Sequence, residues 1–229
     1  MVSVLRIYER VAKDLSRKNQ TGYSTVGEFN RDLRDSENIL YEFYYKEFQE
    51  TQKVSDALEP FIKEKTLTIG GGKVAYPTDH RHPLEMSYLK IVNDPSCLKP
   101  EYTEVPMDYL NTNEERETMI SAIRRPSIEK NLFYYTQVNR SLKILPNSLT
   151  GKVAYKYLKT PIYGIYGVKI NVTKGIEEYD PALSTDLEWN EQEETNIINL
   201  MLLHKGMSVR DNELMSFAMN KMALEQSKK

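Results

Sequence analysis

The densest run of side chains able to ligate a metal or move a proton is Asp79-His80-Arg81-His82. Alternate residues of a strand share a face, so His80 and His82 could offer two imidazoles together, but Arg81 stands between them and no third ligand is nearby. Gly70-Gly71-Gly72-Lys73 invites comparison with a phosphate-cradling loop. That loop requires another glycine five residues before Gly72 and a hydroxyl residue after the lysine. Leu67 and Val74 occupy those places, so the run reads as a turn. His204 falls near the end of a helical segment, where a histidine is a favourable cap, and three histidines in all give thin material for acid–base chemistry. Cys97, in Asp94-Pro95-Ser96-Cys97, lacks the neighbours that mark a nucleophile. No catalytic constellation is legible, and neither a cofactor nor a metal is expected.

Arg124-Arg125-Pro126-Ser127 and Lys130, followed by Phe133, Tyr134 and Tyr135, interleave bases with aromatics as a face for single-stranded nucleic acid would. The plainer reading is a basic loop leading into a strand. A sequence-specific DNA reader would carry a basic recognition helix, whereas the C-terminal helical segments here hold mostly acids, Met and Leu. Base readout is not expected.

Charge is segregated along the chain. Arg124 to Lys174 holds ten Lys or Arg against the single acid Glu129, and Glu177 to Glu194 holds eight acids and no base. Single-sign blocks steer partners and raise association rates, which suits a chain that contacts copies of itself. The candidates for such contacts are Arg124, Arg125, Lys152 and Lys156 on the basic side, with Glu188, Trp189, Glu191, Glu193 and Glu194 on the acidic side. The alternative is that both blocks simply turn charged edges to water. Sixteen tyrosines against six phenylalanines fit surfaces where one edge is buried and the other wet, or packing along strands. One cysteine excludes a disulfide framework or a Cys-rich zinc site, and a cytosolic setting is the default. No stretch approaches the roughly 20 apolar residues of a membrane helix, so no membrane partner is expected.

The elements that must carry these residues read as α+β in three parts of one composite unit: a helical region over 1–65, a β-rich region over 66–180 and a C-terminal helical hairpin over 181–229. Val4, Leu5, Tyr8, Val11, Ala12 and Leu15 form a helical stripe that ends in the polar run Arg17 to Gly22. Thr25 with Glu28 is a capping-box pattern. It opens a long helix through Phe29, Leu33, Leu40, Tyr44, Phe48, Val54 and Leu58, about 35 residues and roughly 50 Å, or else two helices broken near Asp35 to Asn38. A period of two then marks a mainly antiparallel sheet or barrel. Its strands are Leu67 to Ile69, Val74 to Tyr76, Met86 to Val92, Leu132 to Val138, Ser141 to Leu145, Gly151 to Thr160 and Tyr163 to Val172, with a short helix over Glu114 to Ile123. Val153, Tyr155 and Tyr157 share one face of their strand, and Lys152, Ala154, Lys156 and Leu158 the other. Glu191, Glu193 and Glu194 load the first turn of a helix with Ile197, Ile198, Met201 and Leu202 as its apolar face and Gly206 at its end. Ser208 with Asp211 opens the second arm of the hairpin, carrying Val209, Leu214, Phe217, Ala218 and Met222.

Read in order, short markers run through nearly the whole chain. They are Val26-Gly27-Glu28-Phe29-Asn30, Val54 with Asp56, Leu58 and Pro60, Pro77-Thr78-Asp79-His80-Arg81-His82, Ser121 with Arg124-Arg125-Pro126, Ile144-Leu145-Pro146, Tyr157-Leu158-Lys159-Thr160-Pro161, Asp186-Leu187-Glu188 and Gly206-Met207-Ser208-Val209-Arg210-Asp211. Their order and spacing resemble a head-to-tail connector or ring protein of the neck of crAss-like tailed bacteriophages. The resemblance implies a non-catalytic virion protein, assembled in the host cytoplasm and repeated twelve times around the axis below the portal. Its implied partners are copies of itself, the portal, other neck or tail ring proteins and the duplex DNA that slides through the channel without sequence readout. The rival class is a DNA-binding packaging or regulatory module. Trp189 and the three glycines at 70 to 72 match no one position in such a neck.

Overall fold

A computed structural model describes residues 1–16, 25–48, 56–92, 101–139, 141–173 and 175–208. The chain is mixed α+β and divides into two compact units. Unit 1 comprises Met1–Phe61 and the chain from Pro161 onward, and unit 2 is Ile62–Thr160. In this division the N-terminal helices and the C-terminal helical segment belong to one unit, into which the β-rich part is inserted. Among the described residues no helix is long and apolar enough to cross a membrane.

In unit 1, helix α1 (Val4–Ser16) buries Val4, Ile7 and Val11, a stripe rotated from the expected one because Ile7 faces inward while Ala12 is exposed. Helix α2 (Val26–Lys46) opens on the anticipated capping box. Thr25 Oγ1 accepts the Glu28 N–H, and the Glu28 carboxylate accepts the Thr25 N–H. The helix runs unbroken through Asp35 to Asn38 and ends after 21 residues, about 30 Å, rather than continuing to Leu58. Its apolar stripe fails there, because residues 49 to 53 are polar throughout. Beyond the insertion come a two-stranded antiparallel ribbon and helix α4 (Glu194–Ser208), which buries Ile197, Ile198, Met201 and Leu202 as expected and carries Gly206 inside it rather than beyond its end. Arg17 to Gly22, Val54, Cys97 and the second arm of the C-terminal hairpin lie outside the described residues.

Unit 2 holds β1 (Ile62–Ile69), β2 (Lys73–Ala75), β3 (His80–Val92), β4 (Glu101–Pro106), β5 (Asp108–Tyr109), helix α3 (Thr112–Ile120), β6 (Tyr134–Val138), β7 (Ser141–Leu145) and β8 (Gly151–Lys159). They form two open four-stranded sheets, ordered β1-β8-β3-β4 and β2-β7-β6-β5, and no barrel closes. All pairs are antiparallel except β5 with β6. The glycine turn does join β1 to β2. Gly70 and Lys73 exchange backbone hydrogen bonds, and Gly71 and Gly72 take φ of 59° and 71°, a conformation that glycine adopts without strain. The turn passes the chain from one sheet to the other instead of closing a hairpin within one. Inward residues of both sheets, among them Met86, Val153, Tyr155 and Tyr157 from the first and Val74, Tyr135, Leu142 and Ile144 from the second, share a core. Helix α3 has its own capping box between Asn111 and Glu114.

The ribbon of unit 1 pairs β9 (Val168–Asn171) with β10 (Ile176–Tyr179). It uses only part of the expected strand over Tyr163 to Val172. Gly167, just before it, is required by close approach, since a Cβ there would stand 2.4 Å from the Leu183 backbone.

The centre of unit 1 holds an ionisable group with a legible pH dependence. Glu37 on α2 is fully buried, and one carboxylate oxygen accepts the Gly164 N–H at 3.1 Å. Burial raises its pKa to about 7, opposed by Gly164 and the Trp189 side chain. Below pH 4.5 the group is protonated whether the chain is folded or not, and between 4.5 and about 7 only the unfolded chain ionises, so stability is lost as pH rises through that window. Two and a half units correspond to about 3 kcal/mol. The Glu37→Gln variant is expected to gain on the wild type by that order between pH 4.5 and 8. Urea unfolding followed by the fluorescence of Trp189 checks this, and parallel pH profiles for the two proteins would refute it.

Candidate functional site

The nine residues singled out for contacts between copies fall into two groups. Arg124 and Arg125 follow α3 in an exposed turn, where Ser121 Oγ accepts the Arg124 N–H at 3.2 Å. Lys152 and Lys156 are exposed on β8, and Lys156 stands in register between Glu64 of β1 and Glu85 of β3. These four are on the surface of unit 2. Elsewhere in the basic block Lys143 pairs with Glu115 at 2.6 Å and Lys159 is buried, so not all of its charge faces solvent.

The acidic block behaves otherwise. Trp189 is fully buried, ringed by Phe61 at 4.7 Å, Tyr44 at 6.2 Å and Tyr41 at 6.4 Å between ring centres. Glu193 is buried and accepts hydrogen bonds from the Tyr44 hydroxyl at 2.5 Å and from Asn196 Nδ2 at 2.7 Å. Burial first and Glu193 second push the Tyr44 phenol far above its ordinary range, so it stays a donor. Glu194, also buried, holds Arg10 at 2.6 Å and Arg6 at 3.2 Å. Glu188 accepts the Ile162 N–H at 2.8 Å, and Asp186 accepts the Val4 N–H at 3.0 Å. The expectation that these acids form an outward-facing surface is corrected for Trp189, Glu193 and Glu194, which lie inside unit 1. Of the five candidates on the acidic side, Glu191 is the exposed one and Glu188 is half-buried. The physical reason is that a carboxylate can be buried when charged or hydroxyl donors meet it, and here those donors come from α1 and α2, remote in sequence.

Phe133, Tyr134 and Tyr135 are likewise buried, in the core of unit 2 or against Leu110 and Leu145. They offer no stacking platform for bases, and the aromatic half of the nucleic-acid face is thereby withdrawn.

Asp79 and His80 do gather polar groups. Asp79 accepts Lys63 Nζ at 2.9 Å, Lys65 Nζ at 3.2 Å and the Tyr157 hydroxyl at 2.8 Å, and these donors, Lys63 foremost, hold its carboxyl well below the usual range. His80 stacks on Tyr76 at 4.1 Å, and its Nε2 lies 2.8 Å from the Tyr155 hydroxyl. Burial lowers its pKa, helped by His82 and opposed by Asp79. The cluster ties β1, β3 and β8 together through their side chains. Among the described residues no group of three or more His, Cys, Asp or Glu is placed to hold a metal. Beside α3 lies a half-open hollow of about 330 Å³ lined by Tyr109, Leu110, Glu114, Glu117, Thr118, Ser121 and Arg124.

Sequence reasoning passed over Glu37, and it took Asp79 only as part of a possible metal-ligand run. Glu37 sits midway between Leu33 and Tyr41, four residues from each, on the line of the buried stripe, and that spacing is a signal that could have found it. The hydrogen-bonding role of Asp79 carries no comparable local mark, since its side-chain partners Lys63 and Lys65 come from β1 and Tyr157 from β8. No protein-family model matches the chain, and no curated protein matches it.

Two charge reversals separate the surface acid from the interior one. Glu191→Lys is expected to leave the thermal midpoint within a degree or two of the wild type. Glu194→Lys is expected to cost about 2 to 3 kcal/mol, since it strands Arg6 and Arg10 around a buried cation. Differential scanning calorimetry measures both, and equal effects would contradict the placement of Glu194.

Proposed function

We propose that this chain is a structural protein of the neck of a tailed bacteriophage of the crAss-like kind, a non-catalytic ring subunit below the portal that joins head to tail and extends the DNA channel. The observation that carries the reading is the ordered set of short markers from Val26 to Asp211, spread over both units. The distribution of charge supports it. The exposed Arg124, Arg125, Lys152 and Lys156 belong to unit 2 and the exposed Glu177 and Glu191 to unit 1, so each copy offers charge of both signs on different units, which a head-to-tail ring can use. In this reading twelve copies surround the axis, with the portal and other neck or tail ring proteins as neighbours and duplex DNA passing without base readout. The protein is assembled in the host cytoplasm and resides in the virion. Helix α2 and a C-terminal helical hairpin that begins with α4 contact adjacent subunits.

A second reading, a DNA-binding packaging or regulatory module, draws on the exposed Arg124, Arg125, Lys152 and Lys156. Mass spectrometry of purified particles separates the two. The expected result is the protein present in equal number to the portal subunit. Its absence from particles, together with salt-sensitive retention of the isolated protein on duplex DNA, would favour the module and overturn the ring.

A further inference from the structure

Opposite charges line the hollow beside α3 without meeting one another. Glu114, Glu117, Thr118 and the cap residue Ser121 recur at spacings of three, one and three, so they share one face of the helix and form a wall of the hollow. Arg124 joins them from the turn after the helix, and Tyr109 and Leu110 come from the end of β5 and the residue after it. Among the described residues neither of the two glutamates nor Arg124 has an ion-pair partner. Glu115, which is not part of the lining, is the acid of α3 that pairs, with Lys143 of β7 at 2.6 Å.

The remaining polar groups of the wall also keep capacity for a ligand. Ser121 Oγ accepts the Ile123 N–H at 3.4 Å and the Arg124 N–H at 3.2 Å, so its own proton is left to donate. One carboxylate oxygen of Glu114 accepts the Asn111 N–H at 3.0 Å, and the other has no partner among the described residues. Thr118 is 4 % exposed, yet among the described residues its hydroxyl has no hydrogen-bond partner. A buried hydroxyl left unpaired costs free energy that a bound polar group recovers.

We propose that this hollow binds a short free zwitterion, its carboxylate held by Arg124 and Ser121 and its ammonium by Glu117 and Glu114. Arginine grips a carboxylate through two parallel N–H groups, and the ring of Tyr109 adds to the hold on a cation. Glu117 and Ser121 stand four residues apart, about 6 Å along the helix axis, which sets the separation of the ligand's charges. An α-amino acid is too short to reach both, whereas an ω-amino acid with four methylenes or a dipeptide spans them. The volume of about 330 Å³ suits a ligand of that size, small-molecule sites starting at roughly 300 Å³. The mixed lining is selective. A simple amine leaves Arg124 unmatched, and a simple carboxylate faces two glutamates, so a ligand bearing both charges is favoured over either. The site lies wholly within unit 2 and does not depend on the chain being a ring subunit.

The test titrates the full chain with δ-aminovalerate, up to tens of millimolar, and follows the backbone amide shifts by NMR. The expected result is a saturable shift centred on residues 109–124. Valerate and pentylamine, the same carbon chain with one charge removed, bind at least roughly tenfold more weakly. Arg124→Gln and Glu117→Gln each weaken δ-aminovalerate roughly tenfold, while Arg116→Gln, an exposed residue of α3 outside the lining, leaves it unchanged. Arg124 and Glu117 are exposed, so the variants keep the fold, and the unshifted remainder of each spectrum verifies it. No saturable shift, equal binding of the three probes, or an affinity for either lining variant equal to that of Arg116→Gln overturns the site.

Discussion

Trp189 is the point on which unit 1 closes. The ring meets Tyr41 and Tyr44 from α2 and Phe61 from the segment that leaves for unit 2, so burying one side chain fixes three stretches of chain at once. Large aromatic rings bring more apolar area out of water than any other residue, and edge-on packing adds to it. The flanking residues then become positioned by consequence. Leu187 exchanges backbone hydrogen bonds with Val2, Asp186 receives the Val4 N–H, and Asn190 donates to the Asp56 carbonyl. The acids on either side of the tryptophan meet their donors because the ring has brought those donors within reach.

Charge segregation along the sequence thus has two physical origins in one chain. In unit 2 the cations stand largely on exposed strand faces and a turn, where they cost little solvation and keep their long-range field. In unit 1 several carboxylates are converted into internal acceptors. A block of eight acids looks like a single object in the sequence, yet Glu193 and Glu194 hold the interior together while Glu177 and Glu191 face water. Only the latter kind is available to a partner.

What could be read from the sequence was what is decided locally. The capping box of Thr25 and Glu28 and the glycine turn before Lys73 depend on residues a few positions apart, and both are present; Val153, Tyr155 and Tyr157 do share a buried face, but Ala154 and Leu158 of the opposite face are buried as well, so the strand is not the half-exposed one its alternation suggests. The inserted arrangement was not legible, because no composition shift or linker marks Phe61 or Pro161. Nor was the place of Trp189. A lone tryptophan in Asp186-Leu187-Glu188-Trp189-Asn190 has no periodic neighbours, and its burial is settled by partners about 130 to 150 positions away. The ribbon went partly unrecognised for a related reason: β10 is Ile-Glu-Glu-Tyr, and its acids read as part of a charge run rather than as a strand.

The insertion sets an order in time. Unit 2 is contiguous and can complete its sheets once Thr160 has been synthesised, whereas α2 waits with Phe29, Leu33 and Tyr41 uncovered until Leu187 to Leu202 emerge. At about 5 to 20 residues per second that delay is on the order of 10 to 30 s, long enough for a chaperone to engage the bare helix face. Stalled nascent chains truncated after Pro161 should then show protease-resistant unit 2 and cleavable α2; resistance of both would refute the order. Ile62 and Leu158 are paired neighbours in β1 and β8, so closing unit 2 draws the two halves of unit 1 together and shortens the loop that Trp189 must still close. Closing the inserted sheets therefore turns the pairing of the chain segments before and after them into a short-range event.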